Sequence, residues 1–253
     1  MNDAVVVDVQ DHIARVTLNR PDKMNSINRA MRQELYNAYA EIKDDDAVWA
    51  VVLTGEGKAF CSGKDLVEEP SPEDETIPTN DDIYLLQRHV YKPIVAAING
   101  SCLAQGAGFA LLSDIRVMSE RGKLGWPQVR RGISSVSGPT LFAHEVPLAQ
   151  ATKYILRGIP MSPQEALELG VVNDVVPHEQ LLETAYRYAH EILEAAPTAV
   201  QGMKEAAIRG QELGLSDRIV MARDIADRVR KTHDAREGIL AFREKREPQW
   251  SGR

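Results

Sequence analysis

The chain has 253 residues, a formal net charge of −7 and a pI near 5.5. That length supports one large domain, or a domain with an appendage, around a sizeable core. The acidic balance argues against a nucleic-acid or anionic-membrane surface. No run of eighteen apolar residues is present to span a membrane. The opening residues alternate apolar and polar and carry Asp3, Asp8 and Asp11, a strand pattern rather than a signal peptide. A soluble cytoplasmic protein is therefore expected, with no nucleic-acid or membrane partner.

In chain order, Ala4 to Gln10 and Ile13 to Leu18 read as paired strands turned at Asp11-His12. Asn28 is placed to cap a helix running to about Lys43, with Met31, Leu35, Ala38 and Ile42 on one face. Trp49 to Leu53 reads as a buried strand. Val67 to Asp82 carries seven acidic residues and Pro70, Pro72 and Pro78, and reads as a mobile acidic loop. Ile83 to Tyr91 reads as a helix, and Ile94 to Ile98 and Ile115 to Met118 as strands. Ser162-Pro163-Gln164-Glu165 is a capping box with proline at the first helical position, and Gly170 stops that helix. Leu181 to Leu193 keeps the helical period, and two or three more amphipathic helices run from Thr198 to Arg246. The layout is strands mixed with helices to about residue 160, followed by a helical tail. Cys61 and Cys102 are the only cysteines. Their small, apolar surroundings suit buried reduced thiols.

Two segments carry chemistry. In Ala59-Phe60-Cys61-Ser62-Gly63-Lys64-Asp65-Leu66, Gly63 allows the backbone to approach a ligand and the next N–H, that of Lys64, to point inward. In the second, Ile94 to Ile98 leads through Asn99-Gly100 to a helix starting near Gln105-Gly106, whose N-terminus offers N–H groups and partial positive charge. Two N–H donors aimed at one oxygen stabilise an enolate or tetrahedral oxyanion. A plain glycine turn and a tightly packed helix account for the same residues. No metal cluster, phosphate-binding loop or dinucleotide fingerprint is visible.

Together the segments resemble the enoyl-CoA hydratase/isomerase (crotonase) family. Asn19-Arg20-Pro21-Asp22-Lys23-Met24-Asn25-Ser26-Ile27 is similar to the family's N-terminal signature. Phe60 to Leu66 is similar to its first oxyanion segment. Lys92 to Gly100, with Ser113-Asp114-Ile115-Arg116, frames the second, and Gly238 to Arg246 is similar to its C-terminal end. The resemblance implies an α/β spiral of β-β-α turns with a C-terminal helical region. Residues 1–195 would form the core domain and 196–253 an oligomerisation region in a homotrimer or dimer of trimers. Coenzyme A is implied as part of an acyl-CoA substrate, with no permanently bound cofactor. Lys64 and Gln105 would donate the oxyanion-hole N–H groups. The backbone around Met24 and Ser62 would meet the adenine, with Asp65 continuing that wall. Lys23, and Lys245 from a neighbouring subunit, would face the phosphates.

The usual acids are missing. Hydration of an enoyl thioester commonly uses two glutamates. By the resemblance their positions fall on Gly108 and Gln128, and a third acid position, seen in some isomerases and dehalogenases, falls on Val136. Glu68 and Glu69 are the nearest carboxylates by sequence. Ser134, Ser135, Ser137, His89 and the His144-Glu145 pair, which follows the next helix, are other polar groups near the acyl pocket. Three functions stay open: an acyl-CoA lyase or isomerase working through a thioester enolate, a malonyl-type decarboxylase, and a CoA-ester-binding homologue without catalysis.

Overall fold

The structure, a computed structural model, describes residues 3–134 and 136–253. Strands β1 (Val5–Gln10) and β2 (Ile13–Leu18) form an antiparallel hairpin in which Gln10 faces Ile13. Asp11 and His12 both turn through positive φ (48° and 64°), matching the twist that two-residue hairpin loops require. Helix α1 (Arg29–Asp44) starts where the Asn28 side chain accepts the Met31 N–H at 3.0 Å, and it buries Met31, Leu35, Ala38 and Ile42.

Three β-β-α turns follow: β3 (Ala50–Gly55), β4 (Ala59–Cys61) and α2 (Asn80–Arg88); then β5 (Ile94–Ile98), β6 (Ser101–Leu103) and α3 (Gln105–Leu111); then β7 (Ile115–Ser119), β8 (Lys123–Gly125) and α4 (Ser137–Glu145). The first strand of each turn joins one six-stranded sheet, ordered β1-β2-β3-β5-β7 with a later strand at its edge, and the second joins a three-stranded parallel sheet, β4-β6-β8. Each turn stacks on the last, so the chain winds as a spiral. Helices α5 (Leu148–Arg157) and α6 (Pro163–Glu168) lead to edge strand β9 (Asp174–Val176), followed by α7 (Leu181–Leu193), α8 (Pro197–Arg209), α9 (Leu215–Val229) and α10 (His233–Glu244).

The central strands β3 and β5 of the large sheet are buried on both faces, and their alternate residues divide between two cores. Val51, Leu53, Ile94, Ala96 and Ile98 face the main core with α1 and α3. Ala50, Val52, Val95 and Ala97 face the other side, which α7 covers with Leu181, Ala185 and Ala189. Helix α8 is pinned to this body by Lys204, which donates to Asp114 Oδ2 (2.6 Å) and to the Lys92 carbonyl (2.9 Å).

Two expectations need correction. The acidic stretch is not a loose loop. Asp74 pairs with Arg29 (2.9 Å) and Arg32, a capping box joins Ser71 to Asp74, and a second one, Thr79 with Asp82, starts α2 three residues earlier than expected. Asp81 and Asp82 therefore lie in the first turn of α2, where acids suit the helix dipole. The region past residue 160 is not wholly helical either, because β9 pairs in parallel with β7.

Candidate active site

The first donor loop hangs on the N-terminal signature. The Ile27 N–H donates to the Gly63 carbonyl (2.8 Å), the Ser62 N–H to the Met24 carbonyl (3.1 Å), and the Asp65 N–H to the Ile27 carbonyl (2.9 Å). Met24 and Ser62 are thus brought together. Asp65 lies on the same loop. Its side chain turns inward and accepts from Arg20 Nη1 at 2.9 Å. Burial raises the Asp65 pKa, but the hydrogen bonds from Arg20 and the Val67 N–H outweigh it and hold the carboxyl below its ordinary value. Arg20 also donates to the Ser26 carbonyl at 2.5 Å, and Asn25 Nδ2 donates to the Glu56 and Ala59 carbonyls (2.9 and 2.7 Å). The signature is a brace for the loop. Lys23 stands exposed beside it, and Lys245 ends α10 in a left-handed conformation.

Gly63 has φ +94°, a conformation that a side chain would strain, and a Cβ there would lie 2.8 Å from Ala104 Cβ and 3.2 Å from Gln105 Oε1. The two segments therefore meet. Gln105 opens α3, in the turn whose N–H groups the helix itself leaves without acceptors. Ala104 before it sits at φ 52°, ψ −118°, a costly geometry for a residue with a Cβ, of the kind that concentrates at functional sites. The Lys64 N–H already donates to an oxygen, Gln105 Oε1, at 3.0 Å. A carbonyl-type oxygen thus already sits against the Lys64 N–H.

Space beside Gly108, where the resemblance places the first glutamate, is taken by Tyr84. A Cβ on Gly108 would lie 2.1 Å from the Tyr84 hydroxyl oxygen. Tyr84, on α2, is 6% exposed, packs edge-on against Phe109, and donates its hydroxyl to the Gln105 carbonyl at 2.7 Å. Burial, together with the nearby Cys61 and Asp81, raises its pKa well above the ordinary phenol value, so the phenol stays protonated. Sequence reasoning missed Tyr84, because its only local signal is an ordinary apolar helix position. Gln128 lies half-buried in the 3₁₀ turn Pro127–Arg131. Val136, 61% exposed, precedes α4. Ser135 lies outside the described residues; Ser134 is exposed, and Ser137 opens α4.

The stand-in acids are engaged elsewhere. Glu68 accepts the Arg29 N–H at 3.1 Å and pairs with the Arg29 guanidinium, so it caps α1. Glu69 is exposed, and its carbonyl accepts from Arg29. His89 caps α2 and faces a hollow with Tyr36, Pro78 and Leu86. His144 and Glu145 do not follow a helix; they form the last turn of α4. Both line a cavity of about 540 Å³ walled by Tyr84, Leu111, Leu112 and Leu141. Burial raises the Glu145 carboxyl, although Arg116 lies 3.1 Å away. Cys61 and Cys102 face each other across β4 and β6 as free buried thiols, and burial pushes Cys61 up to about 12. They are not nucleophiles at neutral pH. Among the described residues no group of His, Cys, Asp and Glu could hold a metal ion.

A parallel β-β-α spiral that sets a glycine-lysine loop against a helix N-terminus, beside a partly apolar cavity, defines an acyl-CoA-processing enzyme of the crotonase fold. The chain belongs to the enoyl-CoA hydratase/isomerase family, whose model matches residues 8–253. It is 36% identical over 253 residues to the (E)-benzylidenesuccinyl-CoA hydratase of Thauera aromatica, across 98% of this chain and 99% of that protein. It is 32% identical over 253 residues to the 2,3-dehydroadipyl-CoA hydratase of Escherichia coli K12, with the same shares covered. The crystal structure of an enoyl-CoA hydratase/isomerase from Mycobacterium paratuberculosis superposes with a TM-score of 0.89 at 36% identity, covering 99% of each chain. No helix among the described residues is long and apolar enough to cross a membrane.

Proposed function

We propose that the chain catalyses a lyase or isomerase reaction on an acyl-CoA, binding the thioester oxygen between the N–H groups of Lys64 and Gln105 and stabilising the enolate that forms there. One observation carries this reading: the Lys64 N–H already holds a neutral carbonyl-type oxygen at 3.0 Å beside the start of α3. Such a donor pair lowers an enolate's energy because its charge develops where the dipoles already point. Coenzyme A enters with the substrate, its adenine against Met24 and Ser62 and its phosphates toward Lys23 and a neighbouring subunit's Lys245. Calorimetry with acetyl-CoA and longer acyl-CoAs tests the reading. Saturable binding is expected, and no binding of any thioester would overturn it.

A second reading rests on the acyl end. Gly108, Gln128 and Val136 offer no carboxylate, and protonated Tyr84 fills the space beside Gly108. Loss of carbon dioxide from a malonyl-type thioester leaves its electron pair as the enolate and needs no base, which suits such a site. Carbon dioxide release from a malonyl-type thioester, with slow hydration of crotonyl-CoA, supports this reading. Fast hydration with no decarboxylation excludes it.

The division near residue 195 falls between α7 and α8, which supports treating α8–α10 as the assembly region of a cytoplasmic trimer or dimer of trimers. These elements expose Met203, Leu215, Ile219, Val220 and Phe242, the last 85% exposed, and apolar surface of that extent suits a subunit contact. Sedimentation should give a trimer or hexamer, and Phe242→Asp should shift it toward monomer.

A further inference from the structure

The cavity beside Tyr84 is lined by four leucines, Leu85, Leu111, Leu112 and Leu141, and by polar groups that include Arg88, His144 and Glu145. Tyr84 and Arg88 are four residues apart on α2, so they share one face, Arg88 about one 5.4 Å turn further from the oxyanion site. The neighbouring charges are mostly spent on each other. Glu145 pairs with Arg116 at 3.1 Å, and Asp114 with Lys204 at 2.6 Å. Half-buried Arg88 has no ion-pair partner among the described residues, and its one side-chain hydrogen bond there goes to the neutral amide oxygen of Gln211. Two other acids, Asp81 and Glu212, line the cavity but stand exposed, where water and salt weaken their reach.

We infer that Arg88 is a specificity-determining residue, and that the cavity takes an acyl chain whose far end is a carboxylate held by its guanidinium. A guanidinium offers a planar fork of N–H donors that fits a carboxylate in two parallel hydrogen bonds. The leucines would strip water from the methylene chain between the two polar ends. A monocarboxylic chain of equal length would leave the arginine facing only Glu145, which already pairs with Arg116. The inference rests on the thioester reading above, because it assumes that the other end of the chain sits at Lys64 and Gln105.

Calorimetric titration with hexanoyl-CoA and adipyl-CoA, which differ only in a methyl or carboxylate terminus, separates the possibilities. The natural protein should prefer adipyl-CoA by about tenfold or more, the preference should collapse in Arg88→Leu, and Arg88→Lys should keep part of it. Because the readout is a ratio within one protein, a general loss of folding cannot mimic it. Equal affinity for the two esters, or a preference that survives Arg88→Leu, overturns the carboxylate anchor and leaves the thioester reading standing. Failure of both esters to bind removes the thioester reading and the anchor with it.

Discussion

The proposed thioester end and the proposed acyl end are built on opposite plans. At the proposed thioester end the donors are backbone groups. The proposed donors are the N–H groups of Lys64 and Gln105, and the two distant segments that carry them meet at Gly63 and the bent Ala104. At the acyl end the parts are side chains, and the expected acids are replaced by Gly108 and Gln128, with Tyr84 in the space beside the first. Backbone donors survive almost any change of sequence except proline, whereas side-chain acids vanish with one substitution. A family can therefore keep its way of holding a substrate while changing what is done to it.

The largest test adds the missing acids. Gly108→Glu alone should fail, because its Cβ would stand 2.1 Å from the Tyr84 hydroxyl oxygen, and a clash of that kind costs about 1–3 kcal/mol. Combined with Tyr84→Ala and Gln128→Glu, it should raise crotonyl-CoA hydration by roughly 10²–10⁴-fold. If the double change Gly108→Glu with Gln128→Glu does as well while Tyr84 stays, Tyr84 is not what fills the acid's place.

The next test attacks the donor end. Lys64→Pro removes the N–H and should cost about 3 kcal/mol of transition-state stabilisation, a factor of 10² or more in turnover. Lys64→Ala keeps the N–H and should keep the rate. Equal damage from both, in folded protein, would show that the lysine side chain does the work.

The smallest concerns the brace beneath the loop. Because the folded Asp65 pKa is depressed, its stabilisation is fully present above the unfolded value of about 4 and is lost as pH falls through the lower folded value. At neutral pH, Asp65→Asn should melt about 2–4 °C below the natural protein for each kcal/mol lost. That gap should close on acidification. A gap independent of pH would mean that the Arg20 contact matters by shape rather than charge.

What the sequence alone revealed follows the range of the forces involved. The Asn28 cap, the Ser162–Glu165 box and the Asp11-His12 turn are made by residues a few positions apart, and the structure contains all three. Strands β4, β6 and β8 have three residues each, too few for alternation to show, so the second sheet that turns the layout into a spiral was legible only through family resemblance. The acidic stretch looked unstructured because its partners, Arg29 and Arg32, lie some forty residues earlier. Tyr84 was invisible for the same reason: its meaning depends on a glycine twenty-four positions away and on packing no local pattern encodes.

On the proposed binding mode, the hydrogen bond from the Lys64 N–H to Gln105 Oε1 would make substrate entry an exchange reaction. A neutral thioester oxygen that displaces the neutral amide oxygen trades one ordinary hydrogen bond for another, so this donor adds little to the affinity for the resting substrate. An enolate oxygen carries charge and accepts the same N–H roughly twice as strongly. In that mode the glutamine would act as an internal competitor that cancels the donor's pull on the ground state and leaves its pull on the transition state, the condition under which binding energy appears in kcat rather than KM.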